Sequence, residues 1–146
     1  MTNETIIDLS RKPSQRWSLT PRLIDDARRL LDMYLTDLGV TDGFANDILQ
    51  LVEGHIRKDY KEEMDSLANQ LRVPLSRVMV CNAYYDLIKA EIACTAFAVD
   101  SPNGPLHARN LDWWTDGKLL NDSTAVFRFV GAPAGEFITI GWPGFI

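Results

Sequence analysis

The chain has 146 residues, of which 46% are hydrophobic and 24% charged, and it carries a net charge of −5. That length suits one domain, and the composition excludes a disordered chain. The acidic balance argues against nucleic acid as a partner, no apolar run approaches the ~18 residues of a transmembrane segment, and the start "MTNETIIDLS" has neither a basic leader nor an apolar signal core, so a cytoplasmic protein is expected.

"TIIDLS" (Thr5 to Ser10) reads as a short strand, closed by the basic, proline-containing "RKPSQRW". The next stretch predicts a helix. Thr20 suits an N-cap, Pro21 the first helical position, Asp25 and Asp26 the positive helix start, and Gly39 the stop. Leu23, Ala27, Leu30, Leu31, Tyr34 and Leu38 recur at helical spacing. A second helix is predicted from Asp42 to about Gln70, weakened in its middle by Gly54. A third begins at Pro74 or Ser76 in "VPLSRVMVCNAYYDLIKA" and is apolar on most faces, as a buried helix would be.

After Ala93 the pattern changes to strands. "CTAFAV" and "PLHARN" flank the turn residues "DSPNG", and "STAVFRFV" and "GEFITIGW" flank "GAPA", so two hairpins are predicted. The apolar ending "ITIGWPGFI" would leave an open edge strand, which predicts that the chain is a piece of something longer, with its own missing C-terminal segment as a partner. The expected class is α+β, with the helices of residues 20–90 on one side of a growing antiparallel sheet.

The chemistry-bearing residues are few. Two cysteines, Cys81 and Cys94, and two histidines, His55 and His107, lack the spacing of a zinc module, and no metal or other cofactor is expected. A Cys81–Cys94 bridge is compatible with the sequence but disfavoured in a reducing compartment. Hairpin geometry is more informative. If Asp100 faces Pro105, then Ala96 faces Arg109 and Cys94 faces Leu111, so Arg109 lies diagonally across from Cys94, roughly 7–8 Å away between α-carbons. A guanidinium near a thiol favours the thiolate. Asp112 lies an odd step from Arg109, so for both to reach Cys94 the strand must bend or bulge around Asn110 and Leu111. A cysteine at such a place is as well explained as a small buried hydrophobe, and Arg109 and Asp112 as a surface ion pair.

The stretch "ACTAFAVDSPNGPLHARNLDWW" resembles the nucleophile segment of the N-terminal nucleophile (Ntn) cysteine hydrolases, which read Cys-Thr, an apolar strand, a turn, then Arg-Asn-x-Asp. Within them it is most similar to the acid ceramidase and N-acylethanolamine acid amidase branch. "DLSRKPSQRW" matches in outline that branch's Asp-Leu-x-x-x-x-x-Arg-Trp signature, and "RVPLSRVMVCNAYYDL" is similar to its Leu-Pro-Leu and Asn-x-x-Tyr-(Asp/Glu)-Leu elements, with Val73 in place of a leucine.

The resemblance implies part of an αββα sandwich, with residues 1–93 as an N-terminal strand and helical propeptide-like region and 94–146 as the start of the catalytic sheet of the same domain. It implies Cys94 as nucleophile, freed as a new N-terminus by self-cleavage of the Ala93–Cys94 bond. Arg109 would sit beside the thiol, and Asp112 would hydrogen-bond the α-amino group. Thr95 and Asn110 match the motif, Asn110 with a role at the substrate, and Trp113, Trp114 and Trp142 are candidates to line an acyl pocket. His107 and His55 have no part in this chemistry.

The implied activity is hydrolysis of a hydrophobic N-acyl amide through a Cys94 thioester. Members of the family supply an oxyanion-hole asparagine from later chain, so residues 1–146 alone would turn over poorly. Alternatives are a penicillin V acylase, bile-salt hydrolase or acyltransferase of the same superfamily, or a non-catalytic binding module.

Overall fold

The computed structural model describes residues 4–84, 93–112 and 117–146, with the backbone alone described for 93–95 and 109–112. Local chemistry starts and stops the first helix. In α1 (Pro21–Asp37) Thr20 is extended and its hydroxyl accepts from the Leu23 N–H at 3.4 Å, with Pro21 at the first position. The helix ends where Gly39 adopts φ 62°, and the amides of Gly39 and Val40 return to the carbonyls of Thr36 and Leu35, each at 3.0 Å. Asp25 and Asp26 do not serve the helix start as expected, because counting from Pro21 puts them beyond the first turn. They pair instead with arginines on their own helix, Arg28 at 3.7 Å and Arg22 at 3.6 Å.

The long second helix of the sequence reading is two helices. α2 (Asp42–Val52), capped by Thr41, passes into a 3-10 turn at Glu53–His55, and Ile56 turns extended before α3 (Lys58–Leu71). The break falls at Gly54, the residue that weakens the helical pattern. Pro74 precedes α4 (Leu75–Asn82), where Val78, Met79, Val80 and Cys81 are all buried, so this helix runs through the interior. The rest of the predicted third helix lies outside the described residues.

Strand β1 (Glu4–Asp8) pairs in parallel with β4 (Ala125–Val130), Ile7 opposite Phe129, and β5 (Phe137–Gly141) pairs antiparallel with β4. This three-stranded sheet has the order β1–β4–β5. β2 (Ala93–Val99) and β3 (Leu106–Asp112) form a separate antiparallel ribbon, so the single growing antiparallel sheet of the sequence reading is replaced by two sheets, one of them mixed. The short helix α5 (Leu119–Asp122), which the sequence pattern did not suggest, leads into β4. The architecture is α+β.

One face of the three-stranded sheet meets the helices. Ile7 and Phe127 are buried there beside Trp17, whose ring makes edge contacts with Phe127 at 5.7 Å and Phe129 at 6.2 Å. Leu30, Leu31 and Tyr34 of α1, Leu67 and Leu71 of α3 and Val78 and Val80 of α4 complete the core, all at 0% exposure. Each aliphatic side chain so buried contributes ~1.5–3 kcal/mol. The segment after β5 enters this core as well. Pro143 is fully buried, Phe145 packs edge-on against Tyr34 at 5.2 Å, and Asn82 donates to the Gly144 carbonyl (3.0 Å) while accepting from the Ile146 N–H (2.8 Å). The other sheet face leaves Ile6, Ile138 and Ile140 exposed around the Glu4–Arg128 ion pair. Among the described residues no helix is long and apolar enough to cross a membrane.

Candidate active site

The register of the β2–β3 ribbon follows from its turn. Gly104 takes φ 104° and its N–H returns to the Ser101 carbonyl, while the Ser101 hydroxyl donates to the Gly104 carbonyl. From that turn the pairing runs without a skipped residue: Ala96 faces Arg109, Cys94 faces Leu111, and Ala93 faces Asp112. The cross-strand partners expected for Cys94 and Arg109 are therefore the observed ones.

The bulge expected around Asn110 and Leu111 is not there. Its premise was that Arg109 and Asp112 must both reach Cys94 from one face of the ribbon. In an unbroken ladder, position 112 shares its parity with Ala93 and Thr95, while position 109 shares its parity with Cys94. Trp113 and Trp114 lie outside the described residues, as do the side chains of Ala93, Cys94, Thr95, Arg109, Asn110 and Asp112.

Positions 94, 96, 98, 107, 109 and 111 belong to one side of the ribbon by register. His107, on that side, borders an open cleft of about 1270 Å³. β4, β5, Trp17, α3 and the end of α4 also contribute to its lining. Phe127, Phe129, Phe137, Trp142 and Phe145 contribute aromatic rings to the lining, with the Phe129 and Phe137 rings stacked at 4.7 Å. Trp142 is thus the one predicted pocket residue whose side chain is described. It is half-buried and donates from its indole nitrogen to the Leu120 carbonyl at 2.9 Å, which fixes the ring in the cleft wall. His55 is exposed in the turn between α2 and α3 and does not line the cleft.

The cleft also contains a feature that sequence reading missed. Glu63 of α3 is 4% exposed, and its two carboxylate oxygens accept from Arg16 Nη1 and Trp17 Nε1, both at 2.6 Å. Both donors belong to the "DLSRKPSQRW" stretch, so one carboxylate explains why an arginine and a tryptophan end it. The other end of the stretch is a turn lock. Asp8 accepts from the Ser10 N–H and hydroxyl, which holds its carboxyl below the usual carboxylate range, and Gly131 packs against that turn. Gln70 ties the following residues to α3 through Leu19 N–H and the Trp17 carbonyl, each at 3.0 Å.

Cys81 is a free, buried thiol that donates to the Leu31 carbonyl at 3.7 Å, so it forms no bridge to Cys94. Burial pushes its pKa up to about 12, which makes it a packing residue. Among the described residues no group of three or more His, Cys, Asp or Glu side chains is placed to hold a metal ion.

No family model matches the chain, and comparison with curated proteins finds no match either.

Proposed function

We propose that the chain carries the nucleophile of an Ntn-type cysteine amidase that hydrolyses a hydrophobic N-acyl amide. The observation that carries this reading is the unbroken ladder. It gathers Cys94, Arg109 and Asp112 within a few rungs, with positions 94 and 109 on the ribbon side that borders the aromatic cleft.

The register is compatible with the chemistry that the resemblance implies. The Cys94 thiol attacks the Ala93 carbonyl, the C–N bond breaks as the thioester forms, and the α-amine of Cys94 is released. Water then cleaves the thioester, leaving a carboxylate on Ala93 and restoring the thiol. The freed amine, with a reference pKa of ~7.7–8.0, serves as general base for the thiol in later rounds. Arg109, of the same parity as Cys94, supplies charge beside the sulfur. Asp112 needs only to reach the α-nitrogen, a backbone atom at the Ala93–Cys94 junction that its position faces, and no bulge is required for that. A substrate amide then repeats the cycle, its acyl group passing to sulfur and then to water. The helix-covered sheet with apolar residues on its open face supports half of an αββα sandwich.

The test is a panel of N-acylethanolamines, ceramides, penicillin V and glycocholate offered to the wild-type chain and to Cys94→Ala. Release of amine by the wild type and not by the variant supports the reading. Measurable amidase activity that is equal in the two proteins ends it.

A further inference from the structure

The lining of the cleft, largely apolar and rich in aromatic rings, contains the Arg16–Glu63 ion pair, whose bonding is incomplete in an informative way. Arg16 is anchored twice, Nε to the Arg11 carbonyl at 3.2 Å and Nη1 to Glu63 at 2.6 Å, and its side chain is only 19% exposed. Arg16 lines the cleft, as does Trp17, and its Nη2 makes no hydrogen bond to any described residue, which leaves two N–H donors for a ligand. The positive charge behind those donors is already matched by Glu63, whose side chain is 5% exposed. Asp59, the other carboxylate of the lining, is held by Arg57 through two bonds of 3.2 and 2.7 Å.

We infer that Arg16 and Glu63 form a binding subsite for a neutral oxygen acceptor on an apolar ligand, and that Glu63 makes the cleft refuse anionic ones. An amide carbonyl or hydroxyl oxygen takes the free Nη2 donors without adding charge. A carboxylate on the same donors would share one guanidinium with Glu63 in a part-desolvated site, where juxtaposed like charges repel strongly. This rests on the proposed amidase only for its consequence, a preference for neutral N-acyl amides over those ending in a carboxylate. The subsite itself stands on the geometry of Arg16 and Glu63.

The test reads binding without turnover. Octanoate and 2-nonanone have apolar chains of similar length, and neither contains a bond that an amidase breaks. Each is titrated into the full chain, with binding followed by the fluorescence of the cleft tryptophans. The wild type is expected to bind 2-nonanone at least about tenfold more tightly than octanoate, and Glu63→Gln, which keeps the size and an acceptor for Trp17, is expected to erase or reverse that ratio. Arg16→Gln should weaken 2-nonanone without improving octanoate. Equal binding of the two by the wild type, binding of neither, or an unchanged ratio in a folded Glu63→Gln would overturn the subsite. Wild-type discrimination alone decides the matter if the variants do not fold. Because no step depends on Cys94, a Cys94→Ala chain should discriminate as the wild type does, so the subsite and the amidase reading fail separately.

Discussion

Replacing Glu63 with alanine tests the energetic centre of the helix–sheet junction. The change leaves an arginine side chain that is 19% exposed without its counter-ion, and it strips the Trp17 indole N–H of its acceptor. Removing one partner of a buried ion pair costs about 3–5 kcal/mol, and a hydrogen bond to a charged group is worth about 1.5–3 kcal/mol. The two overlap, because one carboxylate provides both. Arg16 also keeps its bond to the Arg11 carbonyl and some contact with water, so a loss near the lower bound, about 3 kcal/mol, is expected. With a urea m-value of about 2 kcal/mol per M, the unfolding midpoint should fall by roughly 1.5 M. Glu63→Gln retains an acceptor for one donor and should lose about half as much. The assay is urea unfolding followed by tryptophan fluorescence. A midpoint for Glu63→Ala within about 0.3 M of wild type would refute the reasoning, since that is too little for an orphaned, part-buried guanidinium.

Other outcomes follow from single sites. Gly131→Ala should destabilise by at least ~1–3 kcal/mol in the same assay, because φ is 74° and the new Cβ would meet Asp8 Oδ1 and the Ser10 nitrogen at 2.9 Å; a neutral effect would contradict that turn geometry. Asn82→Ala, which removes the bonds to Gly144 and Ile146, should cost about 1–2 kcal/mol and expose the 142–146 segment to limited proteolysis before the rest of the chain. Cys81 should resist iodoacetamide at pH 8 in the folded chain and react after unfolding, since a thiol pushed up to about 12 holds on the order of one part in ten thousand as thiolate. Rapid native labelling at Cys81, read by peptide mapping, would count against its burial.

What sequence alone revealed was local. Thr20, Pro21 and Gly39 mark α1 because capping and positive φ depend on residues a few positions apart, and the turn at Ser101–Gly104 fixes the Cys94–Leu111 rung for the same reason. The parallel pairing of β1 with β4 joins Glu4 to Val126, and no local pattern encodes such a partner. Glu63 was invisible because a glutamate in "KEEMDSL" looks like any solvated helix residue. Its burial is decided by Arg16, 47 positions away, and Trp17, 46 away. The expected bulge failed for a different reason, since it assumed that Arg109 and Asp112 must approach Cys94 from one face, whereas the position of Asp112 already faces Ala93.

Many contacts would survive a break before Cys94. The β1–β4 ladder, the Trp17 contacts with Phe127 and Phe129, and the Asn82 bonds to Gly144 and Ile146 all tie residues before 93 to residues after it. The most direct measurement is therefore the denaturing intact mass of the natively purified chain after incubation, for wild type and Cys94→Ala. The account predicts two masses for the wild type, residues 1–93 and 94–146, co-eluting as one species under native conditions, and a single uncut mass for the variant. A wild-type chain that stays whole while hydrolysing amides, or a Cys94→Ala chain cut at the same bond, would contradict it.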